Sequence, residues 1–212
     1  MKITDLTHKF TITDMVFPGT PLMNWERTHT CEKDGYNLTM MNLNSHAGTH
    51  TDAPLHFLAD GKPLSEVDIE RYVGTCVAVD CRKKGAPKAI IEVEDVKPYE
   101  EEIKKAKRVL LVTGWNSEFN TEHFFTEYPS VSLELAKYLV SLGVVMIGVE
   151  GPSVNIYEGA EVHVELLSHD VAIVEALTNM EGLIGKEFIF CGAPLKFNDL
   201  DGCPLRAYAL EL

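Results

Sequence analysis

"SLELAKYLVSLGVVMIGVEG", residues 132–151, places two elements back to back. Leu133, Leu135, Ala136, Leu139 and Val140 recur at roughly helical spacing, Ser132 suits a helix cap, and Gly143 suits its stop. The continuation "VVMIGVEG" (144–151) is short, apolar and rich in β-branched residues, which predicts a buried strand. Upstream, "TCVAVDC" (75–81) and "RVLLVTGW" (108–115) read the same way. Strand, helix and strand in that order predict a β-α-β crossover with parallel strands.

Outside this unit the pattern is less regular. "VEDVKPYEEEIKKAK" (93–107) predicts a further helix, and Pro98 limits where it begins. "YNLTMMNLNS" (36–45) has strand-like composition. At the C-terminal end, "EFIFCGAPLKF" (187–197) and "PLRAYALEL" (204–212) predict two strands, joined as a hairpin through the turn-rich "NDLDGC" (198–203). The expectation is a mixed α/β chain, not a regular doubly wound repeat.

The chain has 212 residues, 45 % hydrophobic and 24 % charged, which predicts one globular domain over 1–212 with a substantial core. A net charge of −13 argues against a nucleic-acid partner, whose phosphates call for clustered Lys and Arg. No apolar signal core opens the chain and no window approaches about eighteen uninterrupted apolar residues, so no membrane association and a cytoplasmic location are expected. Cys31, Cys76, Cys81, Cys191 and Cys203 make an odd count without a C-x-x-C pair, which reads as five reduced thiols.

The chemistry concentrates in "NSHAGTHTDAPLHF" (44–57), where His46, His50, Asp52 and His56 fall within eleven positions. His46 and His50 have the H-x-x-x-H spacing of a zinc-protease helix, but Ala47 replaces its general-base Glu, and Gly48 and Pro54 oppose a helix. In an extended segment, residues two apart share a side, so His50 and Asp52 converge and a bend at Gly48 brings His46 alongside. Imidazole nitrogen and carboxylate oxygen suit zinc or manganese. A single loop histidine is ordinarily a partly exposed polar group, and His8 and His123 read that way; three with an aspartate point to a metal or proton-transfer site.

A second cluster, "HVELLSHDVAIVEAL" (163–177), reads as an amphipathic helix feeding an apolar segment. Glu175 interrupts that apolar run, where an unpaired carboxylate is costly and a cation compensates it. In "GVEGPSVN" (148–155), Ser153 lacks the flanking glycines of a nucleophile elbow. It reads as a turn residue, with substrate contact as the alternative. P-loop and dinucleotide fingerprints are missing from the sequence.

"HAGTHTDAPLH" fits H-x-G-T-H-x-D-x-P-x-H at every fixed position, and on it the chain resembles the cyclase family of metal-dependent hydrolases, which includes bacterial kynurenine formamidase and isatin hydrolase. The resemblance continues through "VTGW" (112–115), residues 132–155, the H-x(11)-E pair of His163 and Glu175, and "DGCPLRAYA" (201–209). It implies a swivelling β/β/α domain with a mixed sheet and crossover helices, assembled as a homodimer or larger. It implies that His46, His50 and Asp52 hold one metal, and that Asp52, His163 and Glu175 hold a second. Two Zn2+ ions per subunit are expected, with Mn2+ as the alternative, and His56 as the catalytic acid and base. The implied reaction is attack of metal-bound hydroxide on a small amide: an arylformamidase step on N-formylkynurenine giving kynurenine and formate. Ring opening of an isatin-like cyclic amide or lactone, or a metal- or ligand-binding homologue without turnover, are the alternatives.

The sequence departs from the formamidase pattern near the N-terminus. "VFPGTPLMNW" (16–25) has Phe17 and Thr20 where a W-P-G-D-like stretch has Trp and Asp. Phe17 or Trp25 would form the aromatic wall for substrate, ordinary packing being the alternative for each. Glu150 stands where a G-x-D pattern has the shorter carboxylate.

Overall fold

The computed structural model describes residues 1–155, 157 and 159–211. Its strands are β1 (Lys2–Asp5), β2 (Asn24–His29), β3 (Leu38–Asn42), β4 (His50–Asp52), β5 (Val73–Asp80), β6 (Ile90–Ile91), β7 (Arg108–Val112), β8 (Ser130–Val131), β9 (Met146–Val149), β10 (Ala172–Glu175), β11 (Phe188–Cys191), β12 (Gly202–Pro204) and β13 (Tyr208–Glu211). The helices are α1 (Cys31–Asp34), α2 (Val93–Val96), α3 (Glu100–Ala106), α4 (Glu122–Thr126), α5 (Leu133–Ser141) and α6 (Glu161–Ser168).

Nine strands form one mixed sheet in the order β1-β13-β11-β5-β7-β9-β10-β4-β12. The four central strands, β5, β7, β9 and β10, run parallel, and every outer pairing is antiparallel. The expected β-α-β crossover is therefore β7, α5, β9. Ser132 Oγ accepts a hydrogen bond from Leu135 N at 3.1 Å and caps α5, and Gly143 leaves the helix at φ +75°. Side chains alternate across the sheet: Val109 and Leu111 pack with the helices, while Leu110 and Val112 face a second core with Phe188 and Phe190. At Gly148 an added Cβ would lie 2.5 Å from Leu110 Cδ2 and 2.7 Å from Leu177 Cδ1, so any side chain there would make both leucines shift.

Three expectations change in detail. The helix over 93–107 is split, because Pro98 sits in a 3-10 turn at 97–99 between α2 and α3. The strand-like stretch at 36–45 gives β3, but it pairs only with β2 in a separate exposed hairpin. The C-terminal strands do pair, β11 with β13, but not through a tight hairpin. Gly202 and Cys203, assigned to the turn, belong to β12, which crosses to the other edge and pairs with β4. Leu212, the last residue of the expected strand, lies outside the described residues. Cys31 is exposed and the other four cysteines are buried thiols.

Candidate metal centre

Strand register builds the inner part of the site. In the β10–β4 pair, Glu175 stands opposite His50 and Ile173 opposite Asp52. His50 and Asp52 are two apart on a strand and share a side, as expected. His50 Nε2 lies 3.6 Å from Asp52 Oδ1 and 3.3 Å from Glu175 Oε2. From the inner face of α6, His163 brings Nε2 to 3.8 Å from Asp52 Oδ2 and 3.6 Å from Glu175 Oε1. All four side chains are buried.

These separations are long for hydrogen bonds. Asp52 Oδ2 is buried without a hydrogen-bond partner. His50 Nδ1 lies 2.8 Å from the Gly48 carbonyl, which can only accept, so in the neutral ring Nε2 is a bare lone pair facing two carboxylates. A cation between them converts this repulsion into ligation, and fixing the far nitrogen of a ligating histidine on a carbonyl is usual in metal sites. One oxygen or nitrogen from each of His50, Asp52 and Glu175 falls within 4.8 Å of the others. The donor set therefore fits a divalent metal. Glu175 Oε1 is further fixed by Val154 N at 2.8 Å, in the turn that also carries Ser153, whose Oγ lies 3.2 Å from His163 Nε2.

The outer part is half-buried and paired. His46 Nδ1 lies 2.9 Å from Asp52 Oδ1, and its Nε2 lies 2.9 Å from Asp201 Oδ2. Burial opposes a charge on this ring, but the two carboxylates outweigh it and raise its pKa to about 9. Asp52 is likewise pushed below the usual carboxylate range: its burial acts the other way and is overcome by His46, His50 and His163. His56 Nδ1 lies 3.4 Å from Asp201 Oδ2, and its ring centroid is 3.9 Å from that of His46. Burial holds the pKa of His56 below that of a free imidazole.

A cavity of about 250 Å³ opens over this group. Its lining includes His46, His50, His56, His163, Glu175 and Ser153, together with Phe17, Phe119, Phe124, Phe125 and Met23. Phe17 meets Phe125 edge to face at 6.1 Å. Trp25 sits on β2 in the separate hairpin and is not among the residues that line this cavity. Thr20 lines the cavity, with its hydroxyl spent on the Phe17 carbonyl at 2.7 Å. Glu150 is buried beside the 113–115 turn, where its Oε2 accepts from Thr113 N at 2.7 Å and Trp115 N at 3.2 Å. His123 is exposed, but His8 is half-buried against Phe119. Asp201 was not among the expected site residues; the family-like "DGCPLRAYA" stretch was the available signal.

The chain is similar in sequence and in fold to several known proteins. A kynurenine formamidase from Erythrobacter litoralis (strain HTCC2594) is 31 % identical over 200 residues, covering 93 % of this chain and 88 % of that protein. Isatin hydrolase A from Labrenzia aggregata, solved with benzyl benzoate, superposes with a TM-score of 0.87 at 23 % identity, covering 98 % of this chain and 93 % of the other. A solved protein described as a potential metal-dependent hydrolase with cyclase activity gives a TM-score of 0.82 at 25 % identity, covering 100 % and 98 %. The family described as "Putative cyclase" matches residues 4–156, a span that includes the whole histidine motif. The chain belongs to the cyclase family.

Proposed function

We propose that this chain is a metal-dependent hydrolase of small amides, and that N-formylkynurenine, cleaved to kynurenine and formate, is its substrate. The observation that carries the reading is the buried set His50, Asp52, His163 and Glu175, three of which line a cavity that several phenylalanines also line. His46, His50 and Asp52 would hold one ion, and Asp52, His163 and Glu175 the other, zinc being favoured over manganese. A bound divalent cation supplies Lewis acidity to a carbonyl and lowers the pKa of water.

The chain's own residues do the rest. His56, kept neutral near pH 7 by burial, takes a proton from the attacking water and delivers it to the leaving nitrogen. Ser153 Oγ, at the cavity wall, donates a hydrogen bond to the substrate carbonyl. Phe17 and Phe125 take the aromatic ring, without the hydrogen-bond donor that an indole would add. The apolar part of the lining would exclude water and strengthen each polar interaction in the cavity.

A homodimer in the cytoplasm belongs to the same proposal. The hairpin of β2 and β3 shows Leu38, Met40 and Met41 to solvent, an apolar surface that a second copy would cover. Among the described residues no helix is long and apolar enough to cross a membrane.

A second reading, ring opening of an isatin-like cyclic amide or lactone, draws on Phe17 and Thr20 standing where the formamidase pattern has Trp and Asp. Product analysis separates the two: formate release supports the first, and a ring-opened acid without formate supports the second. Metal-loaded protein that hydrolyses neither substrate would leave a binding protein.

A further inference from the structure

Asp201 stands behind two of the cavity histidines and is not itself part of the cavity lining. Its Oδ1 accepts a hydrogen bond from Ser45 Oγ at 2.8 Å. Its Oδ2 is shared between His46 Nε2 at 2.9 Å and His56 Nδ1 at 3.4 Å. Its carbonyl accepts from Ala53 N at 2.8 Å, which ties the residue to the end of β4. The next residue, Gly202, shapes the same seat: an added Cβ would lie 2.7 Å from His46 Cε1 and 2.7 Å from the Thr51 carbonyl oxygen. Only a bare backbone lets the His46 ring approach β12 this closely.

We propose that Asp201, seated by Ser45 and Gly202, is the positioning residue that holds His46 and His56 together in working orientation. The inference rests on the reading of the inner group as a metal centre. By accepting from Nε2, Asp201 fixes the His46 ring with Nδ1 toward Asp52, the carboxylate common to both expected ions. Its Oδ2, 3.4 Å from Nδ1 of His56, faces that nitrogen and leaves Nε2 of the ring for proton exchange. A carboxylate behind a ligating imidazole selects its tautomer and raises its basicity, and losing such a partner weakens metal binding by about 10–100-fold. One oxygen serving two rings links metal affinity to the orientation of the acid-base group.

The test uses zinc itself. Dissociation constants are measured by competition with a chromophoric chelator for the wild-type protein, Asp201→Asn, Asp201→Glu and Ser45→Ala, with Asp52→Asn as reference. Asp201→Asn is expected to bind zinc about 10–100-fold more weakly. Ser45→Ala should show a smaller loss, and Asp201→Glu a partial recovery. A purely structural role would instead lower the melting temperature of the chelated protein and leave zinc affinity unchanged. Wild-type affinity in both Asp201→Asn and Ser45→Ala overturns the proposal; if Asp201→Asn does not fold, unchanged affinity in Ser45→Ala alone overturns it. A wild-type protein that binds zinc no better than Asp52→Asn overturns the metal reading and this inference with it, an outcome recognisable by that equality.

Discussion

The inner group, His50, Asp52, His163 and Glu175, is buried with its facing atoms 3.3–3.8 Å apart, whereas His46, His56 and Asp201 are half-buried and joined at 2.9 and 3.4 Å. The inner side chains sit on β4, β10 and α6, so register and packing fix them even where their polar atoms find no good partner. The outer ones sit on turns or, for His56, at the end of a 3-10 helix, and are held by one another, by Asp52 and by Ser45. Unsatisfied polar atoms on rigid elements mark a site that awaits a ligand, and satisfied ones on turns mark groups that orient and exchange protons.

Substitutions that respect this division should break the two groups differently. Asp52→Asn removes the carboxylate common to both expected ions, and is predicted to lose bound metal by elemental analysis and at least about 10³-fold in hydrolysis. His56→Ala should keep its metal and lose about 10²–10⁴-fold in kcat. Equal metal content in the two variants would erase the distinction between the groups. Gly202→Ala presses a methyl against His46 and the Thr51 carbonyl, and should destabilise the fold by about 1–3 kcal/mol in denaturant unfolding. Phe17→Ala should raise KM by up to about tenfold with little change in kcat, the loss expected for one aromatic contact. A change in kcat alone would place Phe17 outside the ring-binding wall.

The pH dependence of the metal-free protein sharpens the comparison further. The folded pKa of His46, about 9, lies above the 6.5 of a free imidazole. Its ion pairs therefore stabilise the fold fully below pH 6.5, and this contribution fades as pH rises through about 9. The melting-temperature difference between wild type and His46→Gln, measured after chelation, should shrink over that window. A difference that is flat from pH 6 to 9 would contradict the double carboxylate grip on His46.

Local chemistry made much of this readable. Ser132, Gly143 and the apolar spacing between them specify α5 without help from the rest of the chain. The i, i+2 rule brought His50 and Asp52 together because a strand has only two sides. What escaped was non-local. The turn-like "NDLDGC" contains two residues of β12 because β4 supplies their hydrogen bonds from about 150 positions away in the chain, which no local signal reports. Asp201 escaped for the same reason: its partners His46 and Ser45 are 155 and 156 residues distant.

The most direct test is hydrolysis of N-formylkynurenine by the purified protein before chelation, after it, and after zinc or manganese is returned. The account predicts formate release that disappears with chelator and recovers with metal. Formate release that persists unchanged in fully metal-free protein would contradict it.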